Sequence, residues 1–429
     1  MLKLSLWRLM ATFLMALVVT ACGGGNGGPA AAPTDFKVTP GNGQVTLTWT
    51  AQPGVDYWVM YAPTATPIDI KNPPSNHAWL TDRVTSPYVL NGLANGVTYS
   101  FAMNARTGGG KGGEQTASQS VVPRYAGSTW VAGSGLGTNS MRGITLGVSS
   151  ADSLSYFVAV GDGGKIYKNA ESVSQGLNGY SWSVVTPANT IDVNFKAATY
   201  TLSKYLAVGS GGTGNNVYYS TDLTTWTPAS TTISTGLNAL VSNGATVVAV
   251  GNGGQAYYST DGSTWTAATM PSSFMSNLYG VAYSSYTGMW IAVGAGGALL
   301  TSLDAKTWTS ASSGVAVDLN SVIATTGNVI VAAGNSGTVI TNNNTMTTSV
   351  NGTWTAQTLG YSPTLYAVST NSVQFLTVGA GGVAFTSIDG VTWAPVSSTQ
   401  TSNDLLAIYG SASKYLVVGT AGANSSSIN

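Results

Sequence analysis

The sequence is poor in cysteine, histidine and charge. Its 429 residues include one cysteine and one histidine, and only 7% of them are charged. A single cysteine excludes a disulfide framework and a thiolate metal cluster, and a single imidazole, His77, excludes a zinc site of histidine and cysteine. The 15 Lys and Arg residues balance 15 Asp and Glu residues, so the chain lacks the basic footprint of a nucleic-acid-binding protein.

Beyond its first 21 residues the sequence also lacks long helix-forming stretches of alanine, glutamate, lysine and leucine. It is rich instead in serine, threonine and asparagine, and it has 54 glycines. Short alternating apolar runs separated by tight turns are typical of half-buried β-strands. Because the length exceeds one ordinary domain, the sequence predicts an all-β chain with two folded units.

The only cysteine, Cys22, follows a segment with the features of an export signal. Lys3 and Arg8 form a basic region, and the apolar run Leu9–Val19 comes next. Eleven apolar residues are too few to cross a bilayer comfortably. The motif Val19-Thr20-Ala21-Cys22 resembles the lipobox of bacterial lipoproteins, in which small residues precede a cysteine that is acylated.

This resemblance implies a signal peptide over residues 1–21 and lipidation of Cys22. The Gly-rich residues 22–32 are predicted to form a flexible tether. In bacterial lipoproteins, the absence of an aspartate directly after the cysteine favours the outer over the inner membrane. Here that position is occupied by Gly23. We therefore expect an exported protein that is lipid-anchored there, on the periplasmic or the cell-surface side.

Residues 33–124 contain period-two runs that predict strands. These runs are Val45–Trp49, Tyr57–Tyr61 and Tyr99–Met103. The region resembles a fibronectin type III domain, because Trp49 matches the core tryptophan of that family and Leu93–Tyr99 matches its tyrosine corner. The resemblance implies a β-sandwich that acts as a spacer or presenting arm, without catalysis.

Residues 125–429 contain seven repeats. A Val-Gly or Ala-Gly turn recurs at intervals of 40 to 48 residues, at Val160-Gly161, Val208-Gly209, Val250-Gly251, Val293-Gly294, Ala333-Gly334, Val378-Gly379 and Val418-Gly419. Seven repeats of this length predict a seven-bladed β-propeller with four strands in each blade.

Four blades share a second pattern, Ser-x-Asp followed by tryptophan, which resembles the Asp-box of bacterial neuraminidase repeats. Its residues are Asp222, Asp261, Asp304 and Asp389 with Trp226, Trp265, Trp308 and Trp393. The aspartate is predicted to accept hydrogen bonds from turn amides and the tryptophan to pack between sheets, so both roles are structural. Blades one and five replace the box with longer connections, which we expect to protrude.

The two ends of this domain together resemble one more box. Ser427–Asn429, followed in register by Gly127–Trp130, would nearly repeat the box of the third blade. The N-terminal segment of the domain is therefore predicted to supply the outer strand of the last blade and to close the ring, which removes free sheet edges.

Sialidases share the Asp-box but use a cluster of arginines as well as a tyrosine and glutamate pair. This propeller has one arginine, Arg142, and one glutamate, Glu171. Neutral side chains cannot replace bidentate guanidinium contacts, so sialidase chemistry is not expected. We predict no catalytic residue, no metal and no cofactor.

Eight residues are candidates for a binding face. Asp162, Asp192, Asp318 and Asp404 lie in turns and loops predicted to open on one mouth of the channel, where they form an acidic rim or cap turns. Met270, Phe274, Met275 and Tyr361 lie in connections between blades, where apolar side chains contact a ligand or fold back over blade edges.

The propeller also resembles the photosystem II assembly factor family, which shares the Val-Gly turn and the Asp-box tryptophan and implies a scaffolding role. We therefore predict a monomeric, non-catalytic binding or scaffold protein that recognises a protein or glycan of the cell envelope. One alternative is a polysaccharide-acting glycosidase with Asp192, Asp318 and Asp404 as its acids. The other is an assembly factor for an envelope complex.

Overall fold

The computed structural model describes residues 27–80, 84–171, 180–343 and 352–428. Cys22 and the predicted signal peptide lie outside the described residues, as do parts of the two longer connections, at 172–179 and 344–351. The chain divides into two compact units between Arg124 and Tyr125. The described residues form strands and short 3-10 turns, and none of them belongs to a helix long and apolar enough to cross a membrane.

The first unit is a sandwich of two sheets, one in the order β1-β7-β4-β5 with β8 beside β7, the other in the order β2-β3-β6. The strands are β1 (Pro29–Ala30), β2 (Lys37–Gly41), β3 (Gln44–Thr48), β4 (Val55–Ala62), β5 (Ala78–Leu80), β6 (Tyr88–Asn91), β7 (Tyr99–Thr107) and β8 (Gln119–Val121). Both sheets contribute to one core around Trp49, whose ring lies 5.5 Å from that of Tyr57. The Tyr99 hydroxyl accepts a hydrogen bond from the Ala94 amide at 3.2 Å, as a tyrosine corner requires.

Strand β1 corrects the predicted extent of the flexible tether. Pro29 and Ala30 pair with Arg106 and Ala105 of β7, and the Thr107 amide donates to the Gly28 carbonyl at 2.9 Å. The C-terminal half of β7 would otherwise present unpaired backbone groups on this side, and β1 satisfies them. The prediction of flexible chain was therefore wrong for this part of residues 22–32.

The second unit contains seven four-stranded antiparallel sheets, the blades. From inside to outside, blades one to three are β10 (Met141–Val148), β11 (Ser155–Gly161), β12 (Ile166–Ala170), β13 (Ser183–Val185); β14 (Asn194–Thr201), β15 (Lys204–Ser210), β16 (Val217–Ser220), β17 (Thr227–Pro228); and β18 (Leu237–Ser242), β19 (Val247–Gly251), β20 (Ala256–Ser259), β21 (Thr266–Ala267).

Blades four to seven follow the same order. They are β22 (Leu278–Ser284), β23 (Met289–Gly294), β24 (Ala298–Ser302), β25 (Thr309–Ser312); β26 (Leu319–Ala324), β27 (Val329–Gly334), β28 (Val339–Asn343), β29 (Thr355–Gln357); β30 (Leu365–Thr370), β31 (Phe375–Gly379), β32 (Ala384–Ser387), β33 (Ala394–Pro395); and β34 (Leu405–Ser411), β35 (Lys414–Gly419), β36 (Asn424–Ile428), β9 (Val131–Ala132). In six blades a 3-10 turn joins the second and third strands: Asp162–Gly164, Asn252–Gly254, Ala295–Gly297, Asn335–Gly337, Ala380–Gly382 and Thr420–Gly422.

The blades form a closed ring, because each innermost strand packs against the next and β34 packs against β10. The last blade closes as predicted: Val131 and Ala132 of β9 pair with Ser426 and Ser425 of β36. The closing turn also has one hydrogen bond of a box: the Ser427 hydroxyl accepts from the Gly127 amide at 2.6 Å, as the Ser259 hydroxyl does from the Gly262 amide. Closure leaves the first and last blades sharing one apolar core.

Candidate functional site

The antiparallel blades give the propeller two different faces. The turns between second and third strands lie at the same end of the blades as the segments that lead into the innermost strands. We call this end the entry face, and the other end, with the remaining turns, the opposite face. All four candidate aspartates outside the boxes lie on the entry face, because Asp162 is in such a turn and Asp192, Asp318 and Asp404 precede innermost strands.

Each innermost strand contains a β-bulge near the entry face, where its pairing with the second strand shifts by one residue. A bulge re-aims the side chain of the extra residue. The seven bulged residues line the mouth of the central channel; they are Arg142, Lys196, Asn238, Tyr279, Asn320, Tyr366 and Leu406. The channel holds a cavity of about 220 Å³, and we call these seven side chains the mouth ring.

A small residue follows each mouth-ring residue and allows neighbouring strands to approach closely. Gly143 shows why: a Cβ atom there would lie 2.8 Å from the Ala197 Cα atom of the next blade. The innermost strands are therefore nearly in contact below the ring, and the cavity is shallow.

Two adjacent members of the mouth ring are cations in different environments. The Arg142 guanidinium makes two bonds to Asp162, from Nε to Oδ1 at 2.7 Å and from Nη2 to Oδ2 at 3.0 Å. Lys196 is half-buried and has no ion pair or hydrogen bond from its ammonium group to any described residue. Burial, together with the charge of Arg142, lowers the pKa of Lys196, although the Asp162 carboxylate acts in the other direction.

Three other members of the ring join neighbouring blades. The Asn238 amide group donates to the Leu278 carbonyl at 2.9 Å, and that of Asn320 donates to the Leu365 carbonyl at 2.8 Å. The Tyr366 hydroxyl donates to Asp404 Oδ2 at 3.4 Å. The same side chains that line the mouth thus fix the spacing of the blades around it.

The four candidate aspartates are held separately rather than gathered into one site. Asp318 and Asp404 accept hydrogen bonds from the amides of Gly296 and Gly381, at 2.8 and 2.9 Å, and so cap turns of the preceding blade. Asp192 accepts from the Thr213 hydroxyl at 2.7 Å and from its amide at 2.8 Å, and these bonds lower the pKa of the Asp192 carboxyl.

Asp162 is paired with Arg142, so each candidate carboxylate has a local structural partner. Within the described ranges, no three His, Cys, Asp or Glu side chains form a group that could hold a metal ion. Of the two interpretations of these aspartates, capping of turns fits the contacts of Asp192, Asp318 and Asp404.

The four apolar candidates fall into two pairs. Met270 and Phe274 fold back and pack against the core between the third and fourth blades. Met275 and Tyr361 are 74% and 64% exposed. Only the second pair is therefore available on the surface of the entry face.

The box aspartates lie on the opposite face, in the turns between third and outer strands. Oδ1 of Asp261 accepts from the amides of Ser263 and Thr264, both at 2.7 Å, and from the Ser259 hydroxyl at 3.0 Å. Asp222, Asp304 and Asp389 make the same three bonds in their own turns. Partial burial alone would raise the pKa of the Asp261 carboxyl, but these hydrogen bonds outweigh it and lower the pKa to about 2.

The box tryptophans pack beside these turns. Trp226, Trp265 and Trp308 are buried and Trp393 is half-buried. The Trp226 indole also donates to the Leu223 carbonyl of its own turn at 3.2 Å. These contacts assign the boxes to the architecture of the blades.

The mouth ring was missed by sequence reasoning. Its residues differ in chemistry from blade to blade, so no repeat of identity marks them. The signal that could have located them is positional: each follows the first large apolar residue of an innermost strand and precedes glycine, alanine or serine.

Comparison with known proteins agrees with both units. The family model of the fibronectin type III domain matches residues 31–121, whereas no curated protein matches the chain. Among solved structures, YCF48 bound to a D1 peptide has a TM-score of 0.55 and 15% identity, covering 70% of this chain and 95% of that one. YCF48 from Cyanidioschyzon merolae has a TM-score of 0.54 and 14% identity, over 70% and 98%.

An enzyme has the same fold. A catalytically inactive virginiamycin B lyase from Staphylococcus aureus, with quinupristin, has a TM-score of 0.54 and 9% identity, covering 68% of this chain and 96% of that one. At such identities the likeness concerns the fold alone, and the fold supports a binding or scaffold role only in general terms. Residues 31–121 are thus a fibronectin type III domain, and the second unit of the chain is a seven-bladed β-propeller.

Proposed function

We propose that the protein is a non-catalytic binding or scaffold protein whose propeller holds a protein partner on its entry face. The observation that carries this proposal is the mouth ring, in which Lys196 is half-buried and its ammonium group forms no ion pair with any residue that the structure describes. Met275 and Tyr361 are exposed on the same face. A rigid scaffold that presents a half-buried cation and exposed apolar side chains is suited to recognition.

A protein suits this face better than a glycan. The cavity of about 220 Å³ is smaller than the roughly 300 Å³ at which small-molecule pockets usually begin, so it admits about one protruding side chain. The peptide bound to YCF48, whose fold is similar, supports the same choice.

The contacts of the acids favour binding over hydrolysis. A glycosidase requires two carboxylates facing each other across the scissile bond, whereas Asp192, Asp318 and Asp404 each hold a nearby turn. The lyase of similar fold is inactivated by replacement of a histidine with alanine. This chain has one histidine, His77, in the first unit, and its Nδ1 atom lies 2.6 Å from the Pro74 carbonyl.

The test is site-specific photo-crosslinking in the full chain. A photoreactive side chain at Tyr361, on the entry face, should yield one stoichiometric adduct with an envelope protein. The matched control is Tyr286, which is 63% exposed against 64% for Tyr361 but lies on the opposite face. The same adduct from both positions, or none from Tyr361, would contradict the proposal.

We further propose that the chain is exported and anchored in the outer membrane through acylated Cys22. The lipobox-like motif supports this, and two or more acyl chains are needed for firm anchoring. Replacement of Cys22 by serine should move the protein from the membrane fraction to the soluble fraction and abolish incorporation of labelled palmitate. Unchanged fractionation would show that the anchor lies elsewhere.

A further inference from the structure

The mouth of the channel has one cation more than its immediate counter-ion can neutralise. Arg142 and Lys196 occupy neighbouring positions in the ring, and Asp162 is bonded to Arg142. Asp404 is the other acid nearby, but its carboxylate accepts hydrogen bonds from the Gly381 amide of a turn and from the Tyr366 hydroxyl. The Lys196 ammonium group and Nη1 of Arg142 make no hydrogen bond to any residue that the structure describes.

An unpaired cation in a half-buried place has a desolvation cost, which an anion brought by a ligand would offset. Hydrogen bonds from such cations to a carboxylate are short and roughly twice as strong as those between neutral groups. The bidentate contact with Asp162 fixes the guanidinium, so Nη1 of Arg142 is held in position. The mouth is therefore preorganised for one further carboxylate.

The rest of the ring limits the size and the number of such groups. Asn238 and Asn320 are committed to bonds between blades, and Leu406 is apolar. The Tyr279 hydroxyl makes no hydrogen bond within the described part of the chain, so it is available to a ligand. A shallow cavity of about 220 Å³ accepts one carboxylate at the end of a short stem.

We propose that the mouth ring is a carboxylate-binding site, in which Lys196 and Arg142 bind an Asp or Glu side chain or the C-terminal carboxylate of a protein ligand. This inference rests on the proposed function above and names the chemistry of its anchor point. Asp162 acts as a positioning residue, because it orients Arg142 without contacting the ligand.

The test compares two small probes with the full chain by saturation-transfer NMR: N-acetylglutamic acid α-methylamide and its glutamine counterpart. The two probes differ only in the charged group. We expect the glutamate probe to bind at least about tenfold more tightly. Lys196→Met should remove that difference, Lys196→Arg should retain most of it, and Lys165→Met, which changes an exposed lysine outside the cavity on the same face, should leave it unchanged.

Equal binding of the two probes to the wild-type chain, or an equal loss in Lys165→Met, would overturn the carboxylate site. Binding of trigalacturonate but not of the glutamate probe, dependent on Lys196, would overturn the protein source of the carboxylate. A thermal melt of Lys196→Met at or above the wild-type Tm shows that the variant is folded; if it fails to fold, Lys196→Gln replaces it in the same comparison.

Crosslinking keeps this inference distinct from the proposed function. If the Tyr361 adduct persists while the probes show no preference for carboxylate, the inference fails and the proposed function stands. If the adduct is absent and the glutamate probe still binds through Lys196, the proposed partner fails and the anion site stands.

Discussion

At the scale of single residues, aspartates have different structural roles on the two faces of the propeller. On the opposite face each box carboxylate binds amides within its own turn, as Asp261 does with Ser263 and Thr264. On the entry face Asp318 and Asp404 bind amides of the preceding blade. The first group fixes a turn, and the second joins neighbouring blades.

Asp261→Ala should lower the free energy of unfolding by about 1–2 kcal/mol, because two turn amides and one hydroxyl lose their common acceptor. Asp261→Asn is the control, since its side-chain oxygen can still accept from the amides, and it should lose less. Urea unfolding of the two variants checks this. Equal losses would show that charge, rather than the acceptor geometry, stabilises the turn.

Acid should destabilise the propeller through the same carboxyls. The pKa values of Asp222 and Asp261 are lowered to about 2 from an ordinary value of 3.8, and those of Asp304 and Asp389 are also lowered. A carboxyl whose pKa is lower in the folded than in the unfolded state stabilises the folded state fully at pH values above its unfolded-state pKa. That stabilisation is lost as the pH falls through the folded-state pKa. The unfolding free energy should therefore fall between about pH 4 and pH 2.

Urea unfolding across this pH range measures the effect. The Asp261→Asn variant should show a shallower dependence than the wild-type chain, because one of the four box carboxyls is gone. Parallel curves for the two proteins would contradict the assignment of the pH dependence to these turns.

At the scale of elements, the conformation of the turns between second and third strands depends on glycine at particular positions. Gly297 has a φ of +77°, and a Cβ atom there would lie 2.0 Å from the Val315 carbonyl oxygen. Gly296 has a φ of +61°, and a Cβ atom would meet nothing within 4 Å. Substitution of Gly296 therefore tests backbone strain alone, whereas substitution of Gly297 tests backbone strain and steric overlap together.

Gly296→Ala should cost about 1 kcal/mol, from the left-handed conformation alone. Gly297→Ala should cost clearly more, because the turn must also move away from Val315. Chemical denaturation of both variants checks the order. Equal costs would mean that the contact with Val315 is relieved without strain.

The repeats explain which elements could be predicted from the sequence. The Val-Gly or Ala-Gly pairs predicted the number of blades, because every blade has such a pair at or near the end of its second strand. The bulges escaped prediction, because the ring residues range from Arg142 to Leu406 and a bulge leaves no fixed residue type behind. The strand at Pro29–Ala30 escaped for another reason: its pairing depends on a strand 75 residues later in the chain, which local composition does not reveal.

At the scale of the whole molecule, the ring is held closed by contacts between its first and last blades. Lys414 of the last blade lies 3.1 Å from Glu171 of the first, with side chains 14% and 30% exposed. The Lys414 ammonium also lies 5.4 Å from the centre of the Phe157 ring. These contacts join residues more than 240 positions apart in sequence.

A double-mutant cycle with Glu171→Gln and Lys414→Met should give a coupling of about 1 kcal/mol, above the usual value for an exposed pair because both groups are partly buried. Arg142 and Asp162, within the first blade, form the control cycle, whose coupling concerns one blade only. Unfolding free energies of the single and double variants measure both. If Glu171 and Lys414 show no coupling, the ring is held closed by the pairing of β9 with β36 and by the shared apolar core instead.

The pairing of β9 with β36 also determines when the propeller can be completed. Val131 and Ala132 find their partners, Ser426 and Ser425, only after nearly 300 further residues have been synthesised. Contacts so distant in sequence form slowly, and every polypeptide that ends before β36 leaves β9 without its partner and the ring open. Premature termination of translation therefore releases a polypeptide with unpaired strand edges, and chaperones and proteases can recognise those edges, which the complete ring does not expose.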